Sequence, residues 1–337
     1  MMVSRLGFGG IPIQRVSEDE AVAVVGTCLD LGITFLDTAN AYTTSESRIG
    51  KAIRGRRGEV VIATKSTARS CEGLERHLEM SLELLGVDYI DLYQLHGISD
   101  FKTLEMVLDP EGPMRALEEA KEAGAIRHIG VTSHQIDVAK AAVRSGRFET
   151  VMFPFNFVTC EPVDELLPLC RERDVGFIAM KPLAGGALDN VTIAFKYLFQ
   201  FPDVVAIPGI EKPSEIEQIV QVLQGPPEMS EAEQREMRRL RDELGTRFCR
   251  RCDYCQPCPQ GIPIATVMVI STVIKRLPPE RLLTGMFADA VAKSANCTEC
   301  GECEARCPYH IPIRQMLLEQ VERFGAARRQ REEQMAS

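Results

Sequence analysis

The sequence lacks both an apolar run of membrane-spanning length and an excess of positive charge. Its most apolar helical segment, Ile264–Ile274, is much shorter than the roughly 20 residues that a spanning helix needs. The chain has 39 Lys and Arg against 48 Asp and Glu, a formal net charge of −9. Because a nucleic-acid-binding surface is basic, this balance argues against a nucleic-acid partner. We therefore expect neither a membrane span nor a nucleic-acid complex.

Met1–Gly10 has no resemblance to a signal peptide, so we expect no secretory signal. This absence predicts a cytoplasmic protein in a reducing compartment, where disulfides are rare. Four scattered cysteines are then interpreted as ordinary buried thiols. They are Cys28, Cys71, Cys160 and Cys170.

The other eight cysteines form two dense runs near the C-terminus. The second run has the C-x2-C-x2-C-x3-C-P spacing of bacterial ferredoxins, in which three cysteines ligate one cluster and the fourth ligates the other. The first run has two residues, rather than three, before its last cysteine. We predict two 4Fe–4S clusters with exchanged fourth ligands. The predicted ligands are Cys249, Cys252, Cys255 and Cys258, and Cys297, Cys300, Cys303 and Cys307.

The two runs belong to an internal repeat, because Cys258–Ile264 and Cys307–Ile313 share the pattern C-P-x-x-I-P-I. Between the runs, Ile264–Arg276 and Glu280–Ala292 are predicted helices, which favours an α-helical ferredoxin-like module. Zinc and disulfides are the alternatives, but structural zinc usually takes its ligands from two separated pairs. The short spacing before Cys258 leaves open a cluster with three cysteines.

The first two-thirds of the chain alternates predicted strands and helices, and eight such units in series predict a closed (β/α)8 barrel of the α/β class. A doubly wound sheet is the runner-up. The predicted domains are the barrel at 1–225, a connecting helix at 226–246, the iron–sulfur domain at 247–320 and a charged tail at 321–337. The predicted strands are Ser4–Phe8, Thr34–Asp37, Val60–Thr64, Tyr89–Leu95, Ile126–Val131, Thr150–Phe153, Gly176–Met180 and Val204–Ile207.

Four side chains at the ends of successive predicted strands form a candidate active site. Chemistry in such barrels lies at the carboxyl ends of the strands. A tyrosine is a weak acid, and a neighbouring ammonium lowers its pKa and makes it a better proton donor. A carboxylate can hold that lysine, and a histidine can orient a carbonyl group. The four residues are Asp37, Tyr42, Lys65 and His96.

With these residues in place, residues 1 to about 245 resemble the aldo-keto reductase superfamily, and the cysteine runs resemble those of its ferredoxin-fused branch. The resemblance implies reversible hydride transfer between a nicotinamide and a carbonyl carbon. Tyr42 would be the acid, Lys65 and Asp37 would tune it, and His96 would orient the carbonyl. The motifs that carry the resemblance are Arg5–Gly10, Phe35–Ala39, Ala63–Lys65, Asp91–His96 and Ile126–Thr132.

The resemblance also implies a nucleotide site, with departures. His134 and Met152 replace the family's asparagine and glutamine at the carboxamide, and Met180 replaces a stacking aromatic. Glu215 stands where NADP-specific members often carry arginine, which favours NAD(H) over NADP(H). The predicted contacts with the nucleotide are Ser133, Asn156, Gly185, Gly209 and Lys212.

Three functions remain open from the sequence. The favoured one is an oxidoreductase that converts a small carbonyl or alcohol substrate while the clusters exchange electrons with a ferredoxin-like partner. The alternatives are an NAD(P)H-dependent reductase with structural clusters, and a non-enzymatic electron-transfer or redox-sensing subunit. Because a nicotinamide delivers two electrons and a cluster carries one, a flavin is a further candidate cofactor, although no flavin motif is evident.

Overall fold

The computed structural model of the chain describes residues 1–275, 277 and 279–336. Arg276, which ends the predicted helix Ile264–Arg276, and Ser337, which ends the predicted tail, lie outside these ranges. The chain divides into two compact units. One comprises Met1–Ala184 and Leu188–Ser230, and the other comprises Gly185–Ala187 and Glu231–Ser337. None of the helices in the described ranges is both long and apolar enough to cross a membrane.

The first unit is a barrel of eight parallel strands that pair in chain order. Parallel bridges between Leu6 and Ala206 and between Gly9 and Gly209 join the first strand to the eighth. The predicted (β/α)8 fold is thereby confirmed. The strands are β1 Phe8–Gly9, β2 Phe35–Asp37, β3 Val61–Ser66, β4 Ile90–Leu95, β5 Ile126–Thr132, β6 Thr150–Pro154, β7 Gly176–Met180 and β8 Val204–Ile207.

Among the described residues of this unit, nine α-helices lie between the strands or follow the last one. The first is capped at Ser17, whose side chain and that of Glu20 form a reciprocal capping box. The helix Phe101–Leu108 was not predicted. The helices are α1 Glu18–Asp30, α2 Ser45–Ala52, α3 Cys71–Leu85, α4 Phe101–Leu108, α5 Pro113–Glu122, α6 Ile136–Arg144, α7 Pro162–Glu172, α8 Val191–Leu198 and α9 Pro213–Gln224.

The inside of the barrel is filled by apolar side chains from its strands, as the core of such a barrel requires. A close approach between strands accounts for one glycine in β5, because a Cβ atom on Gly130 would lie 2.3 Å from Thr150 Oγ1. The packed set is Phe35, Ala63, Leu92, Met152, Ile178 and Ile207.

The second unit is built from two longer helices, several short ones and two cysteine-bearing segments. Both predicted helices between the cysteine runs are divided in two. The second is divided at Gly285, whose φ of 59° is left-handed and ends the preceding helix. The helices are α10 Glu231–Gly245, α11 Ile264–Val267, α12 Ile270–Ile274, α13 Pro279–Leu283, α14 Gly285–Ser294, α15 Glu302–Ala305 and α16 Ile313–Ala336.

The amino end of β4 contains a buried carboxylate that joins three neighbouring segments. Asp91 accepts hydrogen bonds from Arg57 at 2.7 Å, from Arg127 at 3.0 Å and from the Ile62 backbone nitrogen at 3.0 Å. The two guanidinium groups also contact the Tyr89 ring, at 4.1 and 3.8 Å from its centroid. Asp91 belongs to the motif that carries the family resemblance, but its contacts are structural ones.

We expect Asp91→Asn to lower the free energy of unfolding by about 2–3 kcal/mol, measured by urea denaturation. Breaking a buried ion pair costs roughly 3–5 kcal/mol, and the value is smaller here because both arginines also contact water. Asp30→Asn is the matched control, since Asp30 pairs with Arg56 at 2.8 Å but is 71% exposed. An exposed pair contributes little. Equal unfolding midpoints for the two variants would contradict the structural role of Asp91.

Candidate functional site

The four predicted active-site residues lie at the carboxyl ends of three adjacent strands. Asp37 is the last residue of β2, Lys65 is the fifth residue of β3, and His96 directly follows β4. Tyr42 lies in the loop between β2 and α2. Asp37 and Lys65 are buried, whereas Tyr42 and His96 are partly exposed and can meet a substrate.

Lys65 and Asp37 form a buried ion pair. Lys65 Nζ lies 2.6 Å from Asp37 Oδ1 and donates a second hydrogen bond to the Thr38 carbonyl oxygen at 2.5 Å. The other Asp37 oxygen accepts from Gln94 Nε2 at 3.2 Å. Because both carboxylate oxygens have donors, the orientation of Asp37, and through it that of Lys65, is held from two sides.

Tyr42 and His96 complete the group. Lys65 Nζ lies 5.0 Å from the centroid of the Tyr42 ring. The Tyr42 and His96 rings meet edge to face, with centroids 6.1 Å apart and an interplanar angle of 83°. The structure therefore brings all four predicted residues into one cluster at the barrel rim.

The charges of the buried pair follow from its contacts. Burial, the largest influence, acts to lower the pKa of Lys65, but Asp37 and Tyr42 outweigh it and leave that pKa raised. Burial also raises the pKa of Asp37, although Lys65 and the Gln94 hydrogen bond oppose this effect. Lys65 is thus held as an ammonium ion beside the Tyr42 ring, where a positive charge favours release of the phenol proton.

Two polar residues of this region were not singled out from the sequence. Gln94 lies within the motif that carries the resemblance and orients Asp37. Glu46, in α2, is 1% exposed and accepts a hydrogen bond from Thr64 Oγ1 at 2.6 Å. Thr64 is the residue that precedes Lys65 in the sequence. Burial raises the pKa of Glu46. The signal that could have found it is an acidic residue on the inner face of an amphipathic helix.

The residues predicted at the carboxamide end of a nucleotide are used in turns. Ser133 Oγ bonds with the backbone of Gln135. Asn156 is fully buried; its amide donates to the Lys181 carbonyl oxygen at 2.9 Å, and its oxygen accepts from two backbone nitrogens. Lys181 Nζ lies 2.9 Å from His134 Nε2. The nucleotide contacts of Ser133 and Asn156 remain predictions.

The residues predicted at the phosphate end lie in separate places. Gly185 has a left-handed φ of 71° in the turn after β7 and is grouped with the second unit. Gly209 pairs with Gly9 where the barrel closes. Lys212 precedes α9, and Glu215 accepts hydrogen bonds from the backbone nitrogens of Glu211 and Lys212, at 2.8 and 3.2 Å. A carboxylate therefore already occupies the anion-attracting start of α9.

In the second unit, two cavities are lined by cysteines from both runs. One has an empty volume of about 340 Å³, part of it open to solvent, and is lined by Cys249, Cys252, Cys255 and Cys307. The other has about 360 Å³ and is lined by Cys258, Cys297, Cys300 and Cys303. We call these the inner and the outer cavity. Each combines three cysteines of one run with the last cysteine of the other.

The backbone of the two runs repeats the same unusual geometry. The residues just before and just after the second cysteine have left-handed φ angles in both runs. Three of these four residues are not glycine, so the left-handed conformation costs free energy, and backbone strain of this kind is concentrated at active and ligand-binding sites. Alternation of this kind turns successive N–H groups toward one point and forms the concavities that surround anions and many iron–sulfur clusters. The residues are Arg251 (63°), Asp253 (60°), Glu299 (54°) and Gly301 (78°).

The C-P-x-x-I-P-I repeat is also structural. Gly261 and His310, at equivalent positions, have φ angles of 66° and 51°. All four isoleucines of the two Ile-Pro-Ile units are at most 3% exposed in a single apolar core, which also contains Cys255 and Cys307. The two loops are thus held by matching anchors.

Among the described residues, no three His, Cys, Asp or Glu side chains converge closely enough to hold a single metal ion. Four thiolates on one zinc ion lie about 3.8 Å apart, because Zn–S bonds are about 2.3 Å long. Burial raises the pKa of Cys252 to about 11 and that of Cys255 to about 12.

Comparisons with known proteins concern the barrel. The oxidoreductase YqkF of Bacillus subtilis is 32% identical over 200 residues, which are 55% of this chain and 63% of YqkF. The chain thus spans less than two thirds of that relative. The holo form of the aldo-keto reductase AKR11C1 from Bacillus halodurans superposes with a TM-score of 0.62 and 26% identity, covering 71% of this chain and 93% of that one.

An aldo/keto reductase from Klebsiella pneumoniae, solved with NADP and acetate, gives a TM-score of 0.59 at 25% identity and covers 71% of this chain and 91% of its own. The family model described as "Aldo/keto reductase family" matches residues 5–192, which are more than half of the chain. The chain therefore belongs to the aldo/keto reductase family.

Proposed function

We propose that the barrel is an NAD(P)H-dependent oxidoreductase that reduces the carbonyl group of a small molecule, or oxidises the corresponding alcohol. The observation that carries the proposal is the cluster of Asp37, Lys65, Tyr42 and His96 at one rim of the barrel. This is the alternative function of the sequence analysis, and the relatives favour it over electron exchange through clusters as the source of reducing power.

The proposed roles follow from the contacts. A bound nicotinamide supplies the hydride. Tyr42 donates its phenol proton to the carbonyl oxygen as negative charge develops there, and the Lys65 ammonium stabilises the resulting phenolate. Asp37 holds Lys65 by the 2.6 Å hydrogen bond. His96, at the edge of the Tyr42 ring, orients the carbonyl oxygen.

Two observations bear on whether the nucleotide is NAD(H) or NADP(H). The Klebsiella relative was solved with NADP. In this chain, the Glu215 carboxylate bonds to the backbone at the start of α9, where its negative charge disfavours the 2′-phosphate of NADP. We propose that Gly209 and Lys212 line the phosphate end and that Gly185 lies in its loop. Ser133 and Asn156 would act at the carboxamide end by shaping the backbone, because their side chains bond to it.

For the second unit we propose two 4Fe–4S clusters in an α-helical ferredoxin-like domain. The support is the donor set of each cavity, three cysteines of one run with the fourth of the other, together with the left-handed backbone beside them. Cys258 lines the outer cavity despite its short spacing, in agreement with four ligands for each cluster. Such clusters would exchange single electrons with a ferredoxin-like partner, and a flavin remains a candidate for coupling them to hydride chemistry.

We expect Tyr42→Phe to lower kcat for reduction of 4-nitrobenzaldehyde or methylglyoxal, with whichever of NADH and NADPH the wild-type protein uses, about 10²- to 10⁴-fold, the range for loss of a general acid. The Kd of that nucleotide, measured by fluorescence, should change little. Tyr89→Phe is the matched control, since its ring lies between two arginines at the other end of β4. A Tyr42→Phe enzyme with full activity would refute the proposed acid.

We expect anaerobically purified protein to contain about eight irons and eight sulfides per chain, because two cubane clusters hold four of each. Cys258→Ser and Cys307→Ser should each reduce the iron content, since the two residues line different cavities. Cys71→Ser is the control, because Cys71 lies in the barrel unit and should leave iron unchanged. Zinc without iron in the wild-type protein would refute the cluster proposal.

A further inference from the structure

We infer that the two cysteine-lined cavities have different tasks: the outer cavity is the docking point for a one-electron carrier protein, and the inner cavity receives the electron from it. This inference rests on the proposed clusters. It assigns the order of electron flow and the surface that the partner contacts.

The first argument is the exposure of the ligands. Cys297 and Cys300 of the outer cavity are exposed to solvent. In the inner cavity Cys255 and Cys307 are only 8% and 6% exposed and belong to the apolar core. Cys249 and Cys252 of the inner cavity, and Cys258 and Cys303 of the outer one, are half-buried, so the difference lies in the exposed pair Cys297 and Cys300, which a carrier protein can approach directly. Electrons from a protein-sized donor therefore enter through the outer site.

The second argument is the charge beside each cavity. Arg250 lines the inner cavity, is 9% exposed and stacks on the Tyr309 ring at 3.8 Å. Arg314 lines the outer cavity, but it is 41% exposed and pairs with Glu304 at 2.8 Å. A desolvated cation stabilises added negative charge more than one that water screens. Asp253 also lines the inner cavity and acts against Arg250, since its negative charge raises the pKa of Cys255, but its side chain reaches solvent, which screens that charge.

This difference favours the electron at the inner site. The carrier is oxidised by one electron, the outer site accepts it, and the inner site is the more favourable acceptor of the same electron. No proton or further reactant is required.

The third argument is the short connection between the sites. Cys255 lines the inner cavity and Cys258 the outer one, and only two residues separate them. At no more than about 3.6 Å per residue, their Cα atoms lie within about 11 Å of each other. A second short connection runs from Cys303, which lines the outer cavity, to Cys307, which lines the inner one. The two sites are therefore close enough to act as consecutive steps.

The test compares Cys300→Ser with Cys252→Ser, the second cysteines of the two runs. Iron release from the wild-type protein to bathophenanthroline disulfonate should be biphasic, with about half of the iron in the fast phase. Cys300→Ser should lose the fast phase, and Cys252→Ser the slow one. Reduction by a chemically reduced ferredoxin, followed by stopped flow, should slow at least about 10-fold in Cys300→Ser. Cys252→Ser should slow this reduction clearly less than Cys300→Ser does.

The outcomes separate the inference from the cluster proposal. A wild-type protein without iron refutes the clusters and the inference together. A wild-type protein with about eight irons that are released in one phase refutes the inference alone. So does equal slowing of ferredoxin oxidation in the two variants. Because the wild-type release curve is decisive by itself, a variant that fails to fold does not rescue the inference.

Discussion

Closure of the barrel between β1 and β8 is the constraint on which the candidate active site depends. The backbone nitrogen of Gly9 donates to the Pro208 carbonyl oxygen at 2.7 Å, and a Cβ atom on Gly9 would lie 2.7 Å from that same oxygen. Only glycine allows this approach. Once the eight strands are closed in chain order, the ends of β2, β3 and β4 must meet at one rim, and Asp37, Lys65 and His96 are brought together with them.

The buried ion pair at that rim shows how the fold offsets the desolvation of two charges. Taking an ammonium and a carboxylate out of water costs several kcal/mol per ion unless hydrogen bonds replace the lost water. Lys65 donates two such bonds, to Asp37 and to the Thr38 carbonyl oxygen, and Gln94 donates a further one to Asp37. The result is a fixed positive charge beside Tyr42, which a solvated lysine on a mobile loop would not provide.

Much of this architecture follows from local sequence, and the exceptions have physical causes. The strands Gly176–Met180 and Val204–Ile207 have the predicted bounds, because each is a short apolar run that is mostly buried, as expected for parallel strands. The predicted strand Ser4–Phe8 overlaps the observed β1, Phe8–Gly9, only at Phe8, because Ser4 bonds to Thr34 through side-chain hydroxyls and not through a backbone ladder. Helix α4 escaped prediction although Asp100 caps it, because it is short and exposes Phe101 and Met106. Gln94 and Glu46 could not be placed, because their roles depend on contacts between distant segments.

The cysteine-bearing unit is ordered by internal repetition. The two C-P-x-x-I-P-I segments place Gly261 and His310 at equivalent positions, with φ angles of 66° and 51°, and their isoleucines share one apolar core. Each cavity takes three cysteines from one run and the last cysteine from the other, so neither run can shift without changing both cavities. In the proposed function the nicotinamide supplies both electrons of the carbonyl reduction. The second unit is therefore not needed to balance that reaction, and the proposed clusters have a one-electron task of their own.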